Sequence, residues 1–472
     1  MTRFSFATVL GSCGLLFVAC TDDPKPPPVT SDVPAVDVAD VPSVDRPDVP
    51  VVDDRPDATP IDTPDVTTDT PGDTADVTPI DVPAGTAWCD LPMGPDAEVR
   101  GVTLPEGFCV RRYGRLQHPR VMGFSPSGDL FITSPGTTGP GGTGPGIDAI
   151  AVLPDDNRDG VADSVTPYAR LPQLLAAGET VNPTTQTVHG LLFHNGFLYY
   201  TFQNSVNRVA FRAGDRAIPA GAAIQNVANL TGSERWTHTL AAGADGSLYV
   251  SMGIYGSFQC PYPSPERGAI LRIRSAPTDT TPPLNGEIVA RGFRNPMYIR
   301  CHAWGCYAAE LTDDGWTAPG REKIVRFEAG QDYGYPCCYD RNLPSPANGG
   351  RVSCATTTAS ILGFPVGYTP FGHDFEPGNW PAPYANGMFV GLHGQVGSWT
   401  ATGINWAPAN PTTHAFMSES AQQFMTGWGR GTPNEGRVAD IAFAPDGRLF
   451  FTDDQQGHVY WIAPRSLQIR PR

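Results

Sequence analysis

Pro445-Asp446-Gly447-Arg448-Leu449-Phe450-Phe451 is a glycine turn followed by alternating large apolar residues, and five other stretches of the chain repeat it. They are Pro126-Ser-Gly-Asp-Leu-Phe-Ile132, His194-Asn-Gly-Phe-Leu-Tyr-Tyr200, Ala244-Asp-Gly-Ser-Leu-Tyr-Val250, Ala303-Trp-Gly-Cys-Tyr-Ala308 and Ala385-Asn-Gly-Met-Phe-Val390. Asp-Gly and Asn-Gly between alternating segments are strong hairpin signals, because the turn needs a residue that accepts positive φ. The glycines stand at 128, 196, 246, 305, 387 and 447. Irregular repeats of about 60 residues fit six four-stranded blades with inserted loops. The expectation is an all-β, six-bladed β-propeller over residues 87–472. A β-sandwich would show similar hairpins, but six matching units favour the propeller.

Outside that region the chain changes character. Met1–Ala19 has Arg3 followed by a short apolar core, which reads as a secretory signal. It ends in Phe17-Val18-Ala19-Cys20, similar to a bacterial lipobox with Cys20 as the acylated residue. An ordinary cleavage site with Cys20 unmodified is the alternative. One acylated end holds a protein at a membrane while its domain stays in water. Residues 21–86 contain 16 Asp, 14 Pro and no aromatic residue, for a net charge of −13. Such a segment buries too little apolar surface to offset its ordering entropy. Residues 20–86 are therefore expected to be a disordered, acidic, Pro-rich tether, stiffened by proline and self-repulsion. The whole chain carries −16, which argues against a nucleic-acid partner. No long apolar run follows the N-terminus, so a membrane is met through the lipid only. The expected location is an exported lipoprotein of the outer membrane or cell surface, with a periplasmic orientation as the alternative.

Eight cysteines remain beyond Cys13 and Cys20, an even number that in an exported chain implies up to four disulfides. Cys301 with Cys306, and Cys89 with Cys109, are the suggested short-range pairs; the full connectivity is open.

Several stretches, in order, resemble the glucose/sorbosone dehydrogenase family, and its sorbosone branch more than soluble glucose dehydrogenase. Leu104-Pro-Glu-Gly-Phe-Cys-Val-Arg-Arg-Tyr113 and His118-Pro-Arg-Val-Met-Gly-Phe124 look like a first blade. Val188-His-Gly-Leu-Leu192, Trp236-Thr-His-Thr-Leu240, Gly292-Phe-Arg-Asn-Pro296, Gly330-Gln-Asp-Tyr-Gly-Tyr-Pro336, Phe389-Val-Gly-Leu-His-Gly394 and Ile441–Asp454 follow. The resemblance implies a pyrroloquinoline quinone (PQQ) cofactor and hydride transfer from a sugar, polyol or sugar aldehyde, with electrons passing to an unidentified acceptor. It implies that Arg294 stabilises charge on the quinone, since a guanidinium does not deprotonate, and that Asn295 touches the cofactor.

The base in such chemistry is a neutral imidazole. Where the family has a His-Trp-Thr-Arg-type segment, this chain has Arg235-Trp236-Thr237-His238, with the polar pair exchanged. On a strand 235 and 238 face opposite sides, so His238 takes the role only if a loop or bulge turns it inward. Ile254 lies near the place of the family's supporting Asp. His189 and His393 are further candidates at the central channel, and Arg437 is a candidate for a cofactor carboxylate or a surface salt bridge.

Asp155-Asp-Asn157-Arg-Asp159-Gly160-Val-Ala-Asp163 is a separate signal. Oxygen ligands at positions 1, 3, 5 and 9 with Gly at 6 match a calcium loop, with Thr166 at position 12 in place of the bidentate Glu. The expectation is a structural calcium held by Asp155, Asn157, Asp159 and Asp163, with an acidic surface turn as the alternative. A second family calcium position, around Glu310-Leu-Thr-Asp-Asp314, departs in length. The functional expectation is a PQQ-dependent sugar oxidoreductase; a propeller lactonase and a non-catalytic propeller binding a glycan or protein are the rivals.

Overall fold

A computed structural model describes residues 82–471, apart from 93, 95, 137–144, 183–185, 231–234, 255–259, 262–265, 274–285, 314–318, 347–350 and 396–400. The signal, Cys20 and the tether up to residue 81 lie outside the described residues. Residues 82–86 already meet the domain: Val82 N–H donates to Asn157 O at 3.0 Å and Gly85 N–H to Ile469 O at 2.8 Å.

Six antiparallel sheets follow one another around a ring. Their innermost strands are Met122–Phe124, Leu191–His194, Leu240–Ala242, Asn295–His302, Pro370–Phe375 and Val438–Phe443. Each packs on the next, and the last packs on the first. The fold is the expected six-bladed propeller. Second strands such as Leu130–Ser134, Leu248–Met252 and Leu449–Asp453 are buried almost throughout because both sheet faces are covered by neighbouring blades. Burial on both faces is why large apolar residues stand at adjacent positions in them, as at Leu130-Phe131-Ile132 and Leu449-Phe450-Phe451.

Three of the predicted turns are built alike. Ser125, Gly243 and Ala444 donate N–H to Asp129, Ser247 and Arg448, and Gly128, Gly246 and Gly447 donate back to the first residue of each. These three glycines have φ of 93°, 77° and 92°, values that penalise a side chain. The fifth unit departs from the hairpin expectation, because residues 376–387 separate its first two strands. Glu376 organises that link by accepting N–H bonds from Gly378, Asn379, Trp380 and Asn386 at 2.6–2.8 Å.

Two further points correct the sequence reading. The segment Phe108–Arg115 is not part of the first blade. It pairs with His458–Pro464 as the outer strand of the sixth, so the N-terminal segment closes the ring. The wide gap between Gly305 and Gly387 also holds a long excursion, 328–361, between the third and fourth strands of blade four. Within it, Gln331–Asp332 adds a parallel strand to the outer edge of blade three.

Cys89–Cys109 and Cys301–Cys306 are bonded as suggested, and Cys260–Cys337 and Cys338–Cys354 complete four disulfides. Adjacent Cys337 and Cys338 thus tie the excursion both to blade three and to itself.

Candidate active site

Each inner strand runs away from the end of the channel where the chain enters the blade, and each second strand returns to it. Residues just before the inner strands and just after the second strands therefore gather at one end. His118, Arg120, His189, Trp236, His238, Arg294, His393, Arg437 and Asp454 all occupy such positions.

Asp454 is the hub. It is ion-paired with Arg120, lies 3.0 Å from His393 Nε2, and has His118 Nε2 at 4.0 Å. Burial works against ionisation, yet His393, Arg120 and His118 hold its carboxyl far below the usual range. His393 Nε2–H donates to both carboxylate oxygens, and its ring stacks on Phe371 at 4.1 Å. Burial and the neighbouring Arg437 bring His393 down to about 3, so the ring is neutral. Arg437 is fully buried, ruling out the surface salt bridge; its Nε and Nη2 donate to the carbonyls of His393 and Gly394 at 2.9 and 2.7 Å.

Arg120 crosses the axis. Its guanidinium lies 5.3 Å from the Phe371 ring centre and 5.8 Å from that of Trp236, and it is inaccessible to solvent. Its Nε and Nη2 have no hydrogen-bond partner among the described residues. Arg120 and Asp454 do not stand out in the sequence as site residues, although they lie in the family-like stretches His118–Phe124 and Ile441–Asp454. Their proximity across 334 residues is a product of ring closure.

His189 and His238 have different surroundings. Residues 235–239 are not strand, so the facing rule for 235 and 238 does not apply. His238 is fully buried with Nδ1 2.6 Å from Ser251 O and Nε2 3.1 Å from Gln203 O. Burial lowers its pKa to about 4. His189 Nδ1 faces His238 O at 2.9 Å, which fixes the proton on Nδ1 and leaves Nε2 as the lone-pair nitrogen. That Nε2 is buried without a partner among the described residues, and the ring meets Trp236 edge-on at 5.1 Å. Burial first, then Arg120, keeps His189 neutral well below the ordinary histidine range.

Arg294 and Asn295 open the fourth blade. Their backbone N–H groups donate to Glu310 at 2.6 and 3.2 Å, and Arg294 Nη1 donates to Thr312 O at 2.6 Å. Glu310 is fully buried, which raises it to about 7. Arg294 is half-buried, and Arg235, also half-buried, bonds Ile254 O at 2.7 Å. A Cβ on Gly253 would collide with Asn295 Oδ1 and touch Arg235, so the absence of a side chain there lets the two approach. Asp314 lies outside the described residues.

The calcium loop lies apart from this site. Gly160 has the expected left-handed φ of 82°. Asp155 is raised to about 7, chiefly by burial, with Asp159 and Asp163 adding to it, and its Oδ1 is buried without a partner among the described residues. Other oxygens are engaged locally: Asp163 accepts Asp156 N–H, Asn157 accepts Asp159 N–H, and Arg448 Nη2 stands 3.7 Å from Asp155. Gly160 gives the turn the expected backbone, but no three acidic, His or Cys side chains among the described residues form a ready cage.

No known protein-family profile matches the sequence, and no curated protein matches it. Solved structures do. A calcium-containing structure of a Trichoderma reesei carbohydrate-active enzyme of family AA12 superposes with a TM-score of 0.60 at 18% identity, covering 78% of this chain and 99% of its own. The holo PQQ domain of pyranose dehydrogenase from Coprinopsis cinerea gives 0.58 at 15%, covering 78% and 98%. PQQ-bound aldose sugar dehydrogenase from Streptomyces coelicolor gives 0.50 at 16%, covering 76% and 99%. At these identities the likeness establishes the propeller.

Proposed function

We propose that this propeller is a PQQ-dependent oxidoreductase acting on a sugar, polyol or sugar aldehyde. The observation that carries the reading is a neutral imidazole, His189, with an open Nε2 beside Arg120 at the axis. PQQ is a planar tricarboxylate, and the residues present suit it in kind. Among the described residues Arg120 has unused N–H groups and Asn295 Oδ1 is buried without a partner, and Arg294, Arg437 and half-exposed Trp236 complete the surroundings. When bound, the quinone supplies a two-electron acceptor for hydride.

The chain's part is positioning and charge. His189 Nε2 accepts the substrate hydroxyl proton, and the carbonyl of His238 holds the ring in the required tautomer. This makes His238 a positioning residue. Arg294 offsets negative charge developing at the entry end, and Asp454 fixes Arg120 and His393. The PQQ-bound and holo sugar dehydrogenases among the structural neighbours support the same reading.

The test is a calorimetric titration of the full chain with PQQ in calcium buffer. Binding at about micromolar Kd or tighter supports it; no binding would turn the search to a non-catalytic role. We also propose calcium at 155–163 as a structural ion and a lipid anchor at Cys20, which places the protein at the cell envelope. Cys20→Ala should abolish detergent-phase partitioning, and unchanged partitioning would refute the anchor.

A further inference from the structure

The opposite end of the axial channel holds a cavity of about 310 Å³, lined by all the inner strands. Its wall includes Val121–Phe124, Leu191–Phe193, Thr239–Ala242 and Tyr298–Cys301, together with His373, Asp440, Ala442 and Phe443. Residues toward the middle of the channel, such as Met122, Leu240 and Tyr298, are buried, while Phe124, Phe193, Ala242, Cys301 and Phe443 are half-exposed. The cavity therefore opens at the end carrying the glycine turns. Tyr298, packed against Phe371 and near His189, separates it from the candidate active site.

Its polar groups are few and of mixed kind. Arg300 Nη1 donates to Asp374 at 2.7 Å, and its Nη2 lies 3.6 Å from Asp440. The cation is thus already engaged by two carboxylates. His373 is buried to 1% exposure, and its Nε2 has no partner among the described residues. Tyr298 OH is likewise buried and unpartnered. Burial raises Asp440 to about 7, and its two carboxyl oxygens accept N–H bonds from Met122 and Ile441 at 2.9 and 2.8 Å.

We propose that this turn-end cavity is a second binding site, for a small neutral polyhydroxylated molecule of monosaccharide or polyol size, contacted by Arg300, His373, Asp440 and Tyr298. A ligand dense in hydroxyls satisfies donors and acceptors of both senses without bringing charge, and buried polar atoms without partners demand such satisfaction. The volume lies at the small end of ligand pockets, about 300–1,000 Å³, and the largely apolar wall suits the C–H faces of a sugar ring. The site stands independently of the oxidoreductase reading.

The experiment titrates the full chain, without quinone, with glucose as probe, and repeats the titration on His373→Phe and Gly123→Leu. The first removes the open Nε2. The second fills the cavity from a position where a Cβ meets only Leu191 and Phe193 at ordinary contact, 3.5 and 3.8 Å. Expected are a Kd of about 1 mM or tighter and a weakening of about tenfold or more in both variants, with quinone binding unaltered. Sugar binding in a chain that fails to take up quinone still supports the site. No binding by the unaltered chain overturns it, as does binding that both variants retain or that saturating quinone abolishes.

Discussion

His189 Nδ1 sits 2.9 Å from the backbone carbonyl of His238, so the carbonyl of one histidine selects the tautomer of the other. A ring so fixed presents a lone pair at Nε2 without needing a carboxylate partner. If this nitrogen accepts the substrate proton, His189→Gln should lower kcat by about 10²–10⁴-fold while PQQ binding is retained. Steady-state turnover beside calorimetry checks it, and full activity would move the base elsewhere. Because the folded pKa lies below the ordinary value, the acid limb of kcat/KM should fall below about pH 6.5.

Arg294 is half-buried, with one guanidinium nitrogen on Thr312 O. Arg294→Ala should reduce turnover by about 10²-fold or more with little change in melting temperature. Loss of fold in circular dichroism would instead make the residue structural.

His393 cannot take up a proton in the folded protein until about pH 3, whereas an unfolded histidine does so near 6.5. Its folded pKa is depressed, so acidification below about 6.5 draws the unfolded state and destabilises the native one. His393→Gln removes that dependence. The stability gap between native sequence and variant should narrow by about 1.4 kcal/mol per pH unit between about 6.5 and 4. Urea melts at several pH values measure it; a constant gap would contradict the assignment.

Chelation should lower the melting temperature if calcium fills the 155–163 turn, and Asp159→Ala should erase that response. An unaltered melt with chelator leaves an acidic turn.

Cys89–Cys109 closes a 20-residue separation at the start of the ring-closing strand. Replacing both by Ser should cost about 3 kcal/mol by the loop-entropy relation, read as a drop in denaturation midpoint.

The propeller was legible because its glycine turns are local: Gly128, Gly246 and Gly447 need no distant partner to declare themselves. Two features were not. The strand Phe108–Arg115 has an amphipathic pattern that suits any blade edge, and only pairing with His458–Pro464 assigns it to the sixth. Likewise, nothing in the neighbourhood of Arg120 or Asp454 reveals that they meet. The histidines were identified as candidates, but their division of labour depends on which carbonyls face which nitrogens, and that is set by the loop 235–239 and not by spacing.

The closing strand has a temporal consequence. Phe108 is paired with Pro464, so an early-made segment finds its partner only when the chain is almost finished. During synthesis the sixth blade lacks its outer edge until the last strand is made, and a chain stopped at residue 457 has no strand on which to seat 108–115. The ring is latched by strands from the two ends of the domain.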